Sequence, residues 1–377
     1  MACACAASIS AALADPGDWL LSGRAGRAEI GLLACSDGRR LADSVLPEPA
    51  VAAPTFALGG TIAIVPTEAS RLLAYALPSF RETGRRSLSM QPTQLASSEP
   101  EGTLLAVGGS GPEPLVLLDA ASLAELHAYR PDRASTVSSI RHAGPRSSFV
   151  VGFEEPVREA EVWELAWRAD APPVYKGLVH DYRMGEAIAL PGQFTPRVAP
   201  VSTPTLALSA GVRADEWLRL GADGVPGVLH LEVRREIVRI PEIRDALASW
   251  QAAAWQAGET RGWYIGSLGD RLLHLLQAGN DWRLSSRIEL PGGLLAMAGF
   301  DDGASIVLAV GEDAELARSG SIRLWRLDAA TATLQPAADR VGAVAATDGP
   351  VRLQRSRDGR CIALLDATGR WLSAVRD

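Results

Sequence analysis

The chain has 377 residues, 47% of them hydrophobic, with 37 Lys and Arg against 44 Asp and Glu, a formal net charge of −7 and a pI near 5.4. That is enough apolar material for a large core, while an acidic balance without any Lys/Arg cluster alternating with aromatic residues argues against a nucleic-acid partner. No apolar run approaches the roughly 20 residues of a membrane-spanning helix.

Residues 2–14 (ACACAASISAALA) are small and apolar and end in an A-x-A-like stop before Asp15. They read either as the remnant of a secretory signal without its positive start or as a disordered tail, so the expected location is the periplasm, with the cytoplasm as the alternative. Residues 15–377 read as one domain.

From Ile30 onward one apolar strand signature recurs. Segments beginning near Ile30, Leu72, Leu115, Val162, Val228, Leu272, Ile322 and Trp371 follow one another at steps of 42, 43, 47, 66, 44, 50 and 49 residues. All but one of these steps match a four-stranded β-propeller blade. Between the signatures lie alternating strands and Gly-bearing turns, SDGR, PEGT, DDGA and RDGR among them, where glycine supplies the conformations that tight hairpins need. The expected fold is all-β, a single eight-bladed β-propeller, with seven blades as the second choice. Strand-like runs at residues 19–22, 28–34 and 40–46 and at 351–355, 361–365 and 371–375 exceed one blade, so the first and last blades are expected to share strands and hide their edges. Residues 243–257 are rich in Ala and Trp and read as a short loop or helical turn followed by a strand.

The four cysteines point to neither haem attachment nor zinc, because no C-x-x-C-H and no Cys/His metal spacing occurs. Cys3 and Cys5 fall in the N-terminal tail. Cys35 and Cys361 lie in the first and last repeats, where a disulfide is conceivable and two buried free thiols are the expectation. GGSG at residues 108–111 is a turn, not a phosphate loop, and the adjacent pairs Glu154/Glu155 and Asp301/Asp302 point to opposite faces of a strand. No catalytic residue emerges. The absence of G-H and W-D dipeptides at repeat ends disfavours a WD40-type hub, although the ring is WD40/YVTN repeat-like in period.

The single long step carries an insertion at about residues 169–200. Within it His180, Asp181, Tyr182, Arg183, Met184 and Glu186 crowd donors, acceptors and a thioether into seven positions. Such a cluster either binds a ligand or ties the loop to itself through internal hydrogen bonds.

The stretch RSSFVVGFEEPVREAEVWEL followed by VYKGLVHDYRMGEAI resembles bacterial propellers of the cytochrome d1 haem class, which include the d1 domain of cytochrome cd1 nitrite reductase and periplasmic proteins that make or carry haem d1. LHLEVRREIVRIP, IELPGGLLAM and SGSIRLWRLDAAT match in the expected order. The resemblance runs from about Gly102 to the C-terminus. It implies an eight-bladed ring holding haem d1 in an axial pocket, with histidines near the iron and arginines facing the carboxylates. On that basis His180, Tyr182, Arg183 and Arg197 are candidate ligand contacts, with His180 and Met184 as iron donors. Trp263 and the Gly292–Gly293 pair are expected along the pocket rim, with strand packing as the alternative.

The departures are informative. Where the family usually places a histidine in an early blade and another after an LDVRR-like strand, this chain reads AVAAPTFALGG at residues 50–60 and PEIRDALASWQ at 241–251, with no histidine in either. Only His127, His142, His180, His230 and His274 exist, and all but His180 read as surface or packing residues. The resemblance with these gaps implies a binding or accessory role in denitrification-type metabolism: binding haem d1 or a precursor, delivering it, or pairing with a catalytic homologue. Partners would be a c-type cytochrome or a protein of the haem d1 pathway. An active nitrite reductase-like enzyme and a cofactor-free interaction scaffold are the alternatives.

Overall fold

The structure, a computed structural model, describes residues 16–130, 135–155, 159–176, 188–243, 250–279, 281–300, 303–311, 322–337, 351–366 and 368–377. The first antiparallel sheet holds β1 (Trp19–Gly23), β2 (Glu29–Ala34) and β3 (Arg40–Val45). The second holds β4 (Thr55–Ala57), β5 (Ile62–Thr67), β6 (Arg71–Ala76) and β7 (Arg81–Ser87). Next come β8 (Gln91–Ser97), β9 (Leu104–Gly111), β10 (Leu115–Asp119) and β11 (Glu125–Tyr129). A two-pair bridge joins β9 to β12 (Ser135–Ala143), which continues into β13 (Ser148–Phe153) and β14 (Glu161–Ala166). A separate hairpin of β15 (Val174–Lys176) and β16 (Ile188–Leu190) then precedes β17 (Arg197–Pro200), which pairs back on β14.

The remaining sheets are regular. One contains β18 (Thr205–Ala210), β19 (Glu216–Gly221), β20 (Pro226–His230) and β21 (Arg235–Arg239), and the next β22 (Trp250–Ala257), β23 (Thr260–Ser267), β24 (Leu272–Gln277) and β25 (Arg283–Glu289). They are followed by β26 (Gly293–Gly299), β27 (Ser305–Gly311), β28 (Ile322–Asp328) and β29 (Thr333–Pro336), and finally by three strands, β30 (Arg352–Arg355), β31 (Cys361–Leu365) and β32 (Trp371–Arg376).

The residue pattern across each sheet explains the architecture. Middle strands such as β5 (IAIVPT), β13 (SFVVGF) and β31 (CIALL) are almost wholly buried, because neighbouring sheets cover both of their faces. Outer strands such as β7 (RETGRRS) and β21 (REIVR) alternate between exposed and half-buried, as strands with one wet face do. Apolar clusters lie between consecutive sheets: Leu21, Ile30 and Leu32 pack on Ala63, Val65 and Leu73, and so on around the ring. The last cluster joins Leu20 and Leu33 of the first sheet to Ala363 and Leu365 of the last. Sheets stacked face to face in a closed circle make a β-propeller.

Several expectations meet the structure here. The signature strand is the third of four in β6, β10, β14, β20, β24 and β28, and the long step is the β15–β16 hairpin. Residues 250–257 are a strand, β22. The first and last sheets do not share strands among the described residues; they close the ring by facing each other. The expectation of free thiols is corrected, because Cys35 and Cys361 form a disulfide across that closing interface. Both are buried, at 0% and 2% exposure, and their Cα atoms lie 6.2 Å apart because the ring brings its first and last sheets together. The tail of residues 2–14 lies outside the described residues. Among those described, no helix is long and apolar enough to cross a membrane.

The closing interface is expected to depend on that bridge. Replacing Cys361 by Ser should lower stability by about 2–5 kcal/mol, the usual cost of losing a native disulfide. Calorimetric melting under non-reducing conditions measures it; a melt equal to that of the unmodified protein would show that apolar packing alone closes the ring.

Candidate functional site

The inner strands β12, β18, β22, β26 and β30 converge on the ring axis and line a cavity of about 600 Å³. The walls are paved with small residues, Ala207, Ser209, Gly211, Ala252, Ala254 and Ala298 among them. Inner strands crowd at the centre of a propeller, so short side chains are what leave room there, and the volume lies in the usual range of roughly 300–1,000 Å³ for small-molecule sites. Into this apolar lining project a few polar groups: Arg141 and His142 from the end of β12, Arg355 from the end of β30, and Arg213.

Arg141 is the most telling of these. Its side chain meets the water of the cavity, yet protein surrounds it closely enough that desolvation pushes its pKa below the ordinary guanidinium value. A guanidinium nonetheless stays charged at any physiological pH. Its Nη1 donates to the Ile140 carbonyl at 2.9 Å, and no carboxylate pairs with it among the described residues. Arg213, by contrast, is held by Asp215 at 3.2 Å. His142 faces Glu99 across 3.6 Å, and Glu99 belongs to a second pocket of about 250 Å³ on the same side of the ring. Arg357 lines that pocket, lying over Gly60, whose backbone has a φ of 83° and where a Cβ would come 2.5 Å from the Arg357 Nε.

The sequence-derived candidates fall in several places. His180, Tyr182, Arg183 and Met184 lie outside the described residues. Arg197 is on β17, where its Nη2 donates to the Pro172 carbonyl at 2.9 Å and its Nη1 stands 4.0 Å from Glu164. It therefore ties the start of the insertion to its sheet. Glu164 itself is buried and receives both Arg146, at 2.7 and 3.2 Å, and the Ser148 hydroxyl at 2.9 Å. The Arg146 pKa is raised, chiefly by its hydrogen bonds to that carboxylate.

Trp263 is not on the rim but behind the wall. It is 1% exposed, packs against Trp282 with ring centroids 5.0 Å apart, and donates its indole N–H to the Ala210 carbonyl at 3.2 Å. Glycine at 211 admits the ring edge, since a Cβ there would lie 2.9 Å from Trp263. Gly292 and Gly293 answer to close backbone approach, a Cβ at Gly292 falling 1.9 Å from the Gly311 carbonyl oxygen.

Of the described histidines, only His142 lines the cavity. His127 is on β11 beside Tyr129, His230 pairs with Asp215 at 3.2 Å, and His274 is on β24, where burial lowers its pKa. Sequence reading therefore missed Arg141, His142 and Arg355. The available signal was positional: in IRHAGPR and in RLQRSRDG these side chains occupy the last positions of inner strands, just before a Gly-bearing turn.

No family model matches the chain, and no curated protein matches it. Solved structures do. Dihydro-haem d1 dehydrogenase NirN, solved in complex with DHE, superposes with a TM-score of 0.68 over 97% of this chain and 74% of its own at 18% identity. BamB from Moraxella catarrhalis gives 0.51 over 78% and 79% at 12% identity. The Cps50 (Swd1) β-propeller domain of Myceliophteria thermophila gives 0.51 over 85% and 95%, also at 12%. At these identities the likeness establishes the propeller fold.

Two expectations follow from this geometry. Trp263→Ala should cost about 3–5 kcal/mol in urea unfolding, as large-to-small changes at buried aromatic positions do, and an undiminished midpoint would mean that the wall is braced elsewhere. Because the folded pKa of His274 lies below its ordinary 6.5, the unfolded chain takes up its proton first as pH falls. Stability should thus be full above about pH 6.5 and decline below it, less steeply in His274→Gln, as a pH series of denaturant melts would record.

Proposed function

We propose that this chain is an eight-bladed propeller that binds an anionic tetrapyrrole, haem d1 or a precursor of it, in the axial cavity, and that it serves as a binding or accessory protein in denitrification-type metabolism. The carrying observation is Arg141, a cation that lines the cavity with no described carboxylate partner, where small-residue walls leave about 600 Å³. A guanidinium that faces an otherwise apolar cavity and has no described carboxylate beside it is open to a counter-charge brought by a ligand. The planar fork of arginine suits a carboxylate, so Arg141 and Arg355 would hold the acidic groups of the ligand.

The donor chemistry also fits. His142 offers an imidazole on the same wall, and His180 and Met184, with Tyr182 and Arg183, are the donors and contacts that the insertion would add. When bound, a haem iron supplies one-electron chemistry; the described residues bind and orient the macrocycle and limit its exposure to water. The propeller likeness to dihydro-haem d1 dehydrogenase NirN supports this reading. The Cys35–Cys361 bridge supports maturation in an oxidising compartment such as the periplasm. A c-type cytochrome or a haem d1 pathway protein is the partner class we infer.

Titrating the purified protein with haem d1 tests the reading. Binding should shift the visible absorption bands. Arg141→Ala should weaken affinity by about 10- to 100-fold, the loss of one charge-assisted hydrogen bond, while His142→Ala and His180→Ala should alter the band positions of whichever supplies the iron donor. An unchanged spectrum at saturating haem d1 would leave a cofactor-free scaffold as the function. Nitrite turnover with a reduced c-type cytochrome would move the protein to the enzyme class.

A further inference from the structure

The closing interface brings together more than two sulfurs. Asp18 ends the 3-10 turn of Pro16–Asp18, Cys35 follows β2 and Cys361 opens β31. The Cys35 and Cys361 Sγ atoms and a carboxylate oxygen of Asp18 all lie within 4.8 Å of one another. Among the described residues this is the one group of three or more His, Cys, Asp or Glu side chains gathered so closely. Sequence spacing does not reveal it, because the three residues come from opposite ends of the chain and meet only when the ring closes.

Each of the three is held by its surroundings. The Cys35 N–H donates to the Asp18 carbonyl at 2.8 Å, which fixes the turn against the end of β2. The Cys35 carbonyl accepts the Trp371 indole N–H at 3.0 Å, and the Cys361 N–H donates to the Ser356 hydroxyl at 3.1 Å. The Ser36 hydroxyl donates to Asp18 Oδ2 at 2.6 Å and so orients the carboxylate, while Arg376 stands 3.6 Å from Oδ1. Outer contacts of this kind aim metal ligands and set their strength. The two cysteines are buried among Leu20, Leu33, Ala363 and Leu365, whereas the Asp18 side chain is 16% exposed and gives the group its opening to solvent.

The sulfurs have different chemistry in their two redox states. Joined as the bridge, they are spent on each other. As thiols, which is how a newly made chain carries them, they can lose their protons and become the soft donors that zinc takes at about 2.3 Å, beside a carboxylate oxygen at about 2.0–2.2 Å. Their Cα atoms, 6.2 Å apart, aim both side chains at one point between the sheets. Two thiolates side by side in an apolar interface repel each other, and a divalent cation between them turns that repulsion into attraction.

We propose that the thiol form of this chain binds one zinc ion through Cys35 Sγ, Cys361 Sγ and an Asp18 carboxylate oxygen, with water in the fourth position. Binding forms two Zn–S bonds and one Zn–O bond, and the two displaced thiol protons leave to solvent. The ion then joins the first and last sheets at the place where the disulfide joins them in the oxidised chain. The ring is thus clasped in either redox state. Zinc and the bridge exclude each other, because both use the same two sulfurs. This holds whatever the axial cavity binds.

Titrating the fully reduced full chain with Co2+, a spectroscopic stand-in for zinc, tests this. Cys3→Ser and Cys5→Ser in the same chain leave only the two thiols of the interface. One Co2+ per chain should bind, with a thiolate-to-cobalt charge-transfer band and the intense visible bands of a tetrahedral site, and zinc should displace it. Asp18→Asn should weaken binding by at least about tenfold while keeping the charge-transfer band, and Cys35→Ser with Cys361→Ser should abolish that band. Zinc should also raise the melting temperature of the reduced protein and leave that of the oxidised protein unchanged. Absence of the charge-transfer band in the reduced protein would overturn the proposal. So would equal affinity in Asp18→Asn or in the protein unfolded by urea, or a reduced protein that zinc fails to stabilise.

Discussion

The molecule depends on one arrangement repeated around a circle: the face of each sheet is covered by the face of the next. A sheet of this kind cannot be stable alone, because its two middle strands are apolar on both sides. Each buried Leu, Ile or Val contributes about 1.5–3 kcal/mol only while the neighbour is present. An open row would leave two such faces in water. The closing interface, where Leu20 and Leu33 meet Ala363 and Leu365, is therefore as necessary as any other, and it is the one between two sheets with only three described strands each. The disulfide sits there.

The same constraint creates the site. Strands that converge on an axis bring their inner side chains together, and large residues would fill the space. Here Ala, Gly and Ser keep it open, and arginines at the strand ends enter it from β12 and β30. Such a cavity is apolar along its sides and cationic at its end, the basis of the proposal that it holds an apolar body bearing an acidic group. Behind the wall, Trp263 holds Ala210 in place through its indole N–H. The shape of the cavity thus rests partly on a residue that does not line it.

Much of the ring was legible in the sequence because its cause is local: a strand covered on both faces must be apolar throughout, and that run recurs at each blade. The strands at both ends of the chain and the strand nature of β22 follow from the same logic. What escaped depends on contacts distant in sequence. Cys35 and Cys361 become partners only through closure. His142 looks like a loop histidine until β12 is known to be an inner strand, and Trp263 looks like a rim residue until the Ala210 carbonyl and Trp282 are seen around it. Arg197 was marked for a ligand through the resemblance, but its neighbours are Glu164 and the Pro172 carbonyl.

The covalent link between Cys35 and Cys361 spans 326 positions. In effect the polypeptide is a hoop. A single cut by a protease in any connecting turn between those positions would open the hoop without releasing a piece of it, and the two new ends would stay attached to the same toroid. Such a molecule withstands nicking in a hostile environment better than a linear chain of equal stability.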